Sequence, residues 1–193
     1  MSIILASRSP RRSELLKMIG IDGFQVIPAE DEERIPFGLA PEQTVCEIAL
    51  QKAKTVSRIY GGNDTIIAAD TLVYLDNRPL GKPDNEEHAA AMLRELSGRR
   101  HTVYTGIAIL RGAECISGAE MTDVLFREIS DAEIEAYVKT GEPMDKAGAY
   151  GAQGRGAVFI ERIEGDFFNV MGLPLCRLSV MLKNFEVNES GDQ

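Results

Sequence analysis

The chain has 193 residues, 21 Lys+Arg against 30 Asp+Glu, a formal charge of −9 and an apolar fraction of 44%, which is the composition of an ordinary folded chain and excludes disorder as its main state. Its length suits one large domain or two small lobes, with a core that needs no covalent staples. The acidic balance excludes a broad nucleic-acid interface, since no basic stripe is long enough to offset it, and the three scattered cysteines, Cys46, Cys115 and Cys176, exclude a disulfide framework and read as small buried apolar residues.

In chain order, Ser2 to Ala6 reads as a buried strand, and Ser9-Pro10 then offers an N-cap and an N1 proline for a helix ending near Gly20. A strand at Phe24 to Ile27 leads into the acidic loop Glu30-Asp31-Glu32-Glu33. A long helix follows from about Pro41 to Tyr60, with Thr44 and Glu47 at capping-box spacing. Asp64 to Asp70 reads as a strand buried on both faces, because Ile66-Ile67-Ala68-Ala69 does not alternate. Val73 to Leu75 and the Asp76-Asn77-Arg78 turn suggest a hairpin into Gly81-Lys82-Pro83. Asp84 with Glu87 caps a helix carrying Ala89, Met92, Leu93 and Leu96 on one stripe.

Two β-rich runs, His101 to Leu110 and Glu114 to Arg127, meet at the break Arg111-Gly112-Ala113. Ser130 and Glu133 open a helix through Tyr137. Glu142 to Gly156 is a glycine-rich stretch that reads as a structureless loop, either functional or mobile. A strand at Ala157 to Ile163 and a helix opening at Pro174 close residues 1–187, predicted to form a single domain, and 188–193 read as a polar tail. Alternating strands and helices with central hairpins predict an α/β domain built on a mixed sheet. No apolar run approaches the roughly 18 residues of a membrane span, and the N-terminus lacks signal-peptide order, so the sequence predicts a cytoplasmic protein without a membrane partner.

Several charged residues are out of place for a fold alone. Arg12 shares the apolar stripe of the first helix with Leu15, Leu16 and Ile19. A helix N-terminus is electropositive, so Arg8, Arg11 and Arg12 there are unfavourable unless an anion binds. Ser7 and Ser9 add hydroxyl donors, and Ser-x-Ser-Pro-Arg-Arg after a strand reads either as a phosphate cradle or as a solvated basic turn. Lys52 sits in the stripe Val45, Ile48, Ala49, Ala53, Val56, Ile59 and Tyr60. It either snorkels to water or faces a carboxylate or phosphate. Asp70 ends an apolar strand, where open α/β sheets place ligands and where turns also place aspartates. With Lys82 and Lys146 beside glycines, and Glu33, Asp70 and Asp145 as carboxylates, these residues form the inventory of a polyphosphate site. With two histidines in the chain, any metal should be a hard, oxygen-ligated cation. Neither a Walker Gly-x-x-x-x-Gly-Lys-Ser/Thr motif nor a Gly-x-Ser-x-Gly elbow is present.

Leu5-Ala6-Ser7-Arg8-Ser9-Pro10-Arg11-Arg12-Ser13-Glu14-Leu15-Leu16, Ala68-Ala69-Asp70-Thr71, Gly81-Lys82-Pro83 and Asp145 through Gly154 together resemble the Maf family of septum-formation-inhibitor-like nucleoside triphosphate pyrophosphatases, nearly end to end. The resemblance implies a mixed sheet flanked by helices, in two lobes around a central cleft like the inosine triphosphate pyrophosphatases. It also implies hydrolysis of a nucleoside triphosphate to monophosphate and pyrophosphate with Mg²⁺ or Mn²⁺, and a homodimer. Asp70 would be the proton acceptor, and Ser7, Arg11, Arg12, Lys52, Lys82 and Lys146 would bind phosphate. Glu33 with Asp70 would hold the metal, although the acidic loop reads Glu32-Glu33 where the family shows Asp-Glu. Arg12, Thr71 and Gln153 match the branch acting on dTTP and UTP. The alternatives are the 7-methyl-GTP-type pyrophosphatases and a non-catalytic nucleotide-binding regulator of cell division.

Overall fold

The structure, a computed structural model, describes residues 2–30, 38–60 and 62–190, with side chains through 185. Its elements are β1 (Ile3–Ala6), α1 (Pro10–Met18), β2 (Gln25–Val26), α2 (Pro41–Ile59), β3 (Thr65–Leu75), β4 (Arg78–Leu80), α3 (Glu86–Leu96), β5 (Arg100–Arg111), β6 (Glu114–Phe126), α4 (Asp131–Val138), β7 (Ile160–Glu164), α5 (Phe167–Met171) and α6 (Leu175–Ser190). The strands form one mixed sheet in the order β2-β1-β3-β5-β6-β7, with β4 added to β3. β1 runs parallel to β2 and β3, whereas β4 is antiparallel to β3 and β7 antiparallel to β6. The α/β class with a mixed sheet is as the sequence predicts.

The chain divides into two compact units. The first holds Met1–Asp70, Thr105–Glu120 and Gly172–Gln193, and the second holds Thr71–Tyr104 and Met121–Met171. Within the first, Ile4, Ala6, Ile66 and Ala68 from the parallel strands pack with Ala49, Ala53 and Val56 of α2 and with Ala108 and Leu110 of β5. The small residues let helix and sheet approach closely. At Gly106 of β5 the approach is backbone on backbone, for a Cβ there would lie 2.3 Å from the Val45 carbonyl carbon and 2.6 Å from Cys46 N. The second unit is built on larger side chains: Ala89, Met92, Leu93 and Leu96 of α3 are buried with Phe126, Tyr137, Tyr150 and Phe159.

Several boundaries differ from the sequence reading. β3 is one strand of 11 residues, so Asp70 lies in its middle rather than at its end. Pairing decides this: β3 is bonded to β1 through Ala68 and to β4 from Val73, and Asp70-Thr71 falls between the two partners. The hairpin turns at Asp76 and Asn77, both with positive φ, the geometry of a type I′ turn. The cap of α2 is not a Thr44-Glu47 box; Gln43 Oε1 accepts from Ala40 N at 3.3 Å while the Thr44 hydroxyl donates to Ala40 O. α3 is capped by Asn85, whose Oδ1 accepts from His88 N at 2.8 Å, and not by Asp84. The Ser130-Glu133 box at α4 forms as expected.

Residues 142–156 are not structureless but wind through 3-10 turns at Glu142–Asp145, Ala147–Ala149 and Arg155–Phe159. The last of these displaces the start of β7 to Ile160. α5, absent from the sequence reading, starts where Asp166 Oδ1 accepts from Phe168 N at 2.7 Å. Cys46 is half-buried and Cys115 and Cys176 are exposed, which corrects their assignment to the core. Ile59 and Tyr60 are likewise exposed, so the buried stripe of α2 ends at Val56.

Candidate active site

The site residues of the first unit gather on three elements: the turn after β1, the middle of α2 and the middle of β3. α2 has buried Ala49, Ala53 and Val56 on one face, and helical spacing brings Lys52 onto the edge of that face. Its side chain is 12% exposed and does not snorkel: Lys52 Nζ donates to Asp70 Oδ1 at 2.7 Å, and the Asp70 side chain is 7% exposed. The choice left open by the sequence is thus resolved in favour of a facing carboxylate. Lys54, two residues on, is exposed. Asp70 Oδ2 is buried without a hydrogen-bond partner among the described residues. Such an orphaned acceptor is costly in a native fold and calls for a functional explanation.

Ser7 follows β1 and is almost fully buried. Its hydroxyl oxygen accepts from Ser9 N at 3.2 Å and from Arg12 Nη1 at 3.1 Å. Arg12 Nε donates to Gly172 O at 2.8 Å, so the guanidinium is oriented from two sides. Ser9 occupies the N-cap position of α1 but makes no side-chain cap bond, and no acidic residue stands in the first turn. Arg11 lies half-buried on that same turn. The turn therefore keeps its positive field uncompensated by a cap or an acidic side chain of its own.

The second unit carries Thr71, Lys82, Lys146 and Gln153. Lys82 is exposed after Gly81, whose carbonyl accepts from Gly148 N at 3.0 Å, and this bond ties the Gly81-Lys82-Pro83 segment to the loop of Lys146. Lys146, 12% exposed, donates to Glu142 O at 2.8 Å and to Asp145 Oδ1 at 2.5 Å. Gln153 is exposed and Thr71 half-buried. The candidate residues thus form two sets, one in each unit. Glu32 and Glu33 lie outside the described residues.

The sequence reading missed two contributors. One is the Gly172 carbonyl, which no side-chain pattern can announce. The other is Glu142, which accepts from Tyr137, Arg155 and Gly156; its signal was the clustering of glycines at 151, 154 and 156.

Solved structures with this arrangement of strands and helices include a HAM1 protein from Coxiella burnetii, with a TM-score of 0.53 and 18% identity over 95% of this chain and 99% of that one. The Ham1 protein of Staphylococcus aureus gives a TM-score of 0.50 and 19% identity over 83% and 80% of the two chains. The fold is therefore of the Ham1 type. The chain belongs to the Maf family, whose model, described as Maf-like protein, matches residues 2–185. Curated relatives include a dTTP/UTP pyrophosphatase of Bacillus cereus (strain AH187), 45% identical over 96% of each chain, and one of Bacillus mycoides (strain KBAB4), 46% identical over 95% of each.

Proposed function

We propose that this chain hydrolyses nucleoside triphosphates, dTTP and UTP foremost, to the monophosphate and pyrophosphate. The observation that carries the reading is Asp70, a buried carboxylate with Oδ1 held by Lys52 and Oδ2 without a partner among the described residues. The reaction class and the preferred bases come from the relatives' names and from family membership.

In this mechanism the water oxygen forms a bond to the α-phosphorus, the bond from that phosphorus to its bridging oxygen breaks, and the water proton passes to Asp70 Oδ2. Lys52 holds Asp70 in position and aims the carboxylate. Ser7, Arg11 and Arg12, at the positive end of α1, bind phosphate oxygens, and Lys82 and Lys146 neutralise the charge that grows on departing pyrophosphate. Thr71 and Gln153 read the base, an amide being able to donate and accept at once. A methyl group separates thymine from uracil and is worth only about 1–3 kcal/mol of discrimination, so the two activities overlap.

No group of three or more His, Cys, Asp or Glu gathers among the described residues. Mg²⁺ and Mn²⁺ take one or two carboxylates together with substrate phosphates, and the Asp70 carboxylate is a hard oxygen donor that suits such a cation. Asp70 and Glu33 would hold it. When bound, it supplies charge neutralisation at the phosphate oxygens.

The test is a panel of dTTP, UTP, CTP, GTP, ATP, ITP and 7-methyl-GTP with Mg²⁺ or Mn²⁺, following monophosphate and pyrophosphate. Pyrophosphate release highest from dTTP and UTP is the expected result. Preference for 7-methyl-GTP removes the base-reading role of Gln153, and nucleotide binding without any turnover replaces the enzyme with a regulator.

A further inference from the structure

The loop from Glu142 to Gly156 has the look of a phosphate cradle, with several glycines beside a lysine, because free backbone N–H groups in such loops bind anions. Here those groups are already engaged from inside the protein. Glu142 Oε2 accepts from Arg155 N at 2.9 Å, and Oε1 accepts from Gly156 N at 3.2 Å and from the Tyr137 hydroxyl at 2.9 Å. The Tyr137 oxygen accepts in turn from Gly151 N at 3.1 Å. The carbonyl of the same Glu142 takes the ammonium of Lys146 at 2.8 Å.

The glycines follow from this arrangement. A Cβ on Gly154 would lie 2.4 Å from Glu142 Oε1, one on Gly151 would lie 2.8 Å from Lys146 Cε, and one on Gly156 would lie 2.8 Å from the Tyr137 oxygen and 3.0 Å from Gly151 N. Glu142 could swing clear of an added methyl only by leaving its donors. The glycines therefore make room for an internal carboxylate and a lysine stem. Burial acts to raise the Glu142 pKa, but the bonds from Arg155, Gly156 and Tyr137 and the charge of Lys146 outweigh it and hold the carboxyl below its ordinary value, so it is ionised at neutral pH.

We propose that Glu142 is a positioning residue for nucleotide recognition: its carboxylate fixes the turn that presents Gln153, and its carbonyl fixes Lys146. One residue thereby sets the geometry of both the base-reading amide and a phosphate-binding cation. The inference rests on the reading that Lys146 and Gln153 meet the substrate.

The experiment compares wild type, Glu142→Ala and Tyr137→Phe in steady-state hydrolysis of dTTP, UTP and GTP. Glu142→Ala should raise KM for dTTP roughly tenfold with kcat kept within about threefold, and the preference for dTTP over GTP should shrink by roughly threefold or more. Tyr137→Phe keeps the ring, removes the hydroxyl's bonds to Glu142 Oε1 and from Gly151 N while leaving the Arg155 and Gly156 bonds to Glu142 in place, and should move both quantities the same way by a smaller factor. It also decides the matter if Glu142→Ala does not fold. Unchanged KM and base preference in the folded variants overturns the proposal, as does a fall in kcat alone. A wild type that releases no pyrophosphate from any nucleotide overturns the underlying reading, an outcome visible in the wild-type arm by itself.

Discussion

Asp70 and Glu142 are both carboxylates with little freedom to move, yet their hydrogen bonding is opposite. Asp70 lies in the middle of a buried strand, between its pairings to β1 and to β4; one oxygen is held by Lys52 and the other has no partner among the described residues. Glu142 lies at the start of a loop and has both carboxylate oxygens and its carbonyl engaged by four donors, Tyr137, Arg155, Gly156 and Lys146, while Gly151 donates to the Tyr137 oxygen in turn. The difference separates a carboxylate that can react from one that can only hold. A group with a spare lone pair in a buried setting raises the energy of the resting fold by about 1–3 kcal/mol, and it persists where a ligand relieves it. A saturated group lowers the energy of a loop that would otherwise cost conformational entropy to order.

The contrast breaks most sharply at Asp70. Asp70→Asn should lower pyrophosphate release from dTTP by roughly 10²–10⁴-fold, while calorimetric titration still detects bound nucleotide; full turnover by this variant would place the base elsewhere. Next comes Lys52. Lys52→Glu sets two carboxylates against each other and should reduce kcat/KM by roughly 10²-fold, whereas Lys54→Glu, on the exposed side of the same helix, should stay within about twofold. Equal losses at the two positions would mean that the ion pair with Asp70 has no bearing on the chemistry.

A third measurement separates the second unit's core from its loop. Burial lowers the His101 pKa to about 4, against smaller opposing effects of the Arg99 backbone and Asp123, and the ring pairs with the Tyr150 hydroxyl at 2.9 Å. In the unfolded chain His101 titrates near 6.5, so between that value and 4 the unfolded state binds the extra proton. Stability is complete above about pH 6.5 and falls as the pH drops toward 4, by about 3 kcal/mol in all. Urea unfolding at pH 8, 6 and 4.5 reads this slope, and His101→Gln should flatten it without altering base preference. The smallest effect is at α3, where Asn85→Ala should cost about 1 kcal/mol in thermal or urea unfolding, against under about 0.5 kcal/mol for Asp84→Ala.

The sequence was most readable where a residue type contradicted its surroundings. A lysine between Ala49, Ala53 and Val56, and an aspartate closing Ile66-Ile67-Ala68-Ala69, have few ways to exist in a core, and the two prove to be partners. Local rules failed where several residues could satisfy them. Asp84 and Asn85 are equally good caps on paper, and only the backbone angle decides which side chain reaches His88 N. β3 was cut short because a polar pair ends an apolar run, although the ladder continues through a change of partner. The loop 142–156 carries no periodic pattern because what shapes it is a carboxylate up to fourteen residues away in sequence. Periodicity also outlasts packing: Ile59 and Tyr60 keep the helical spacing of α2 after burial has ended.

Gly106 acts on the mechanics of the first unit. With no side chain at position 106, the height of α2 above β5 at Val45 is set by backbone against backbone, with no deformable layer at that point to absorb an error. Val45, the residue it touches, and Lys52 are seven positions apart, about 10 Å along the helix axis. A methyl group at 106 would work as a wedge under the first part of α2, and the displacement would carry along the helix to the ammonium that steadies Asp70. A position with no functional group of its own thus governs whether the charged pair closes, and variants that silence the site need not alter any residue in it.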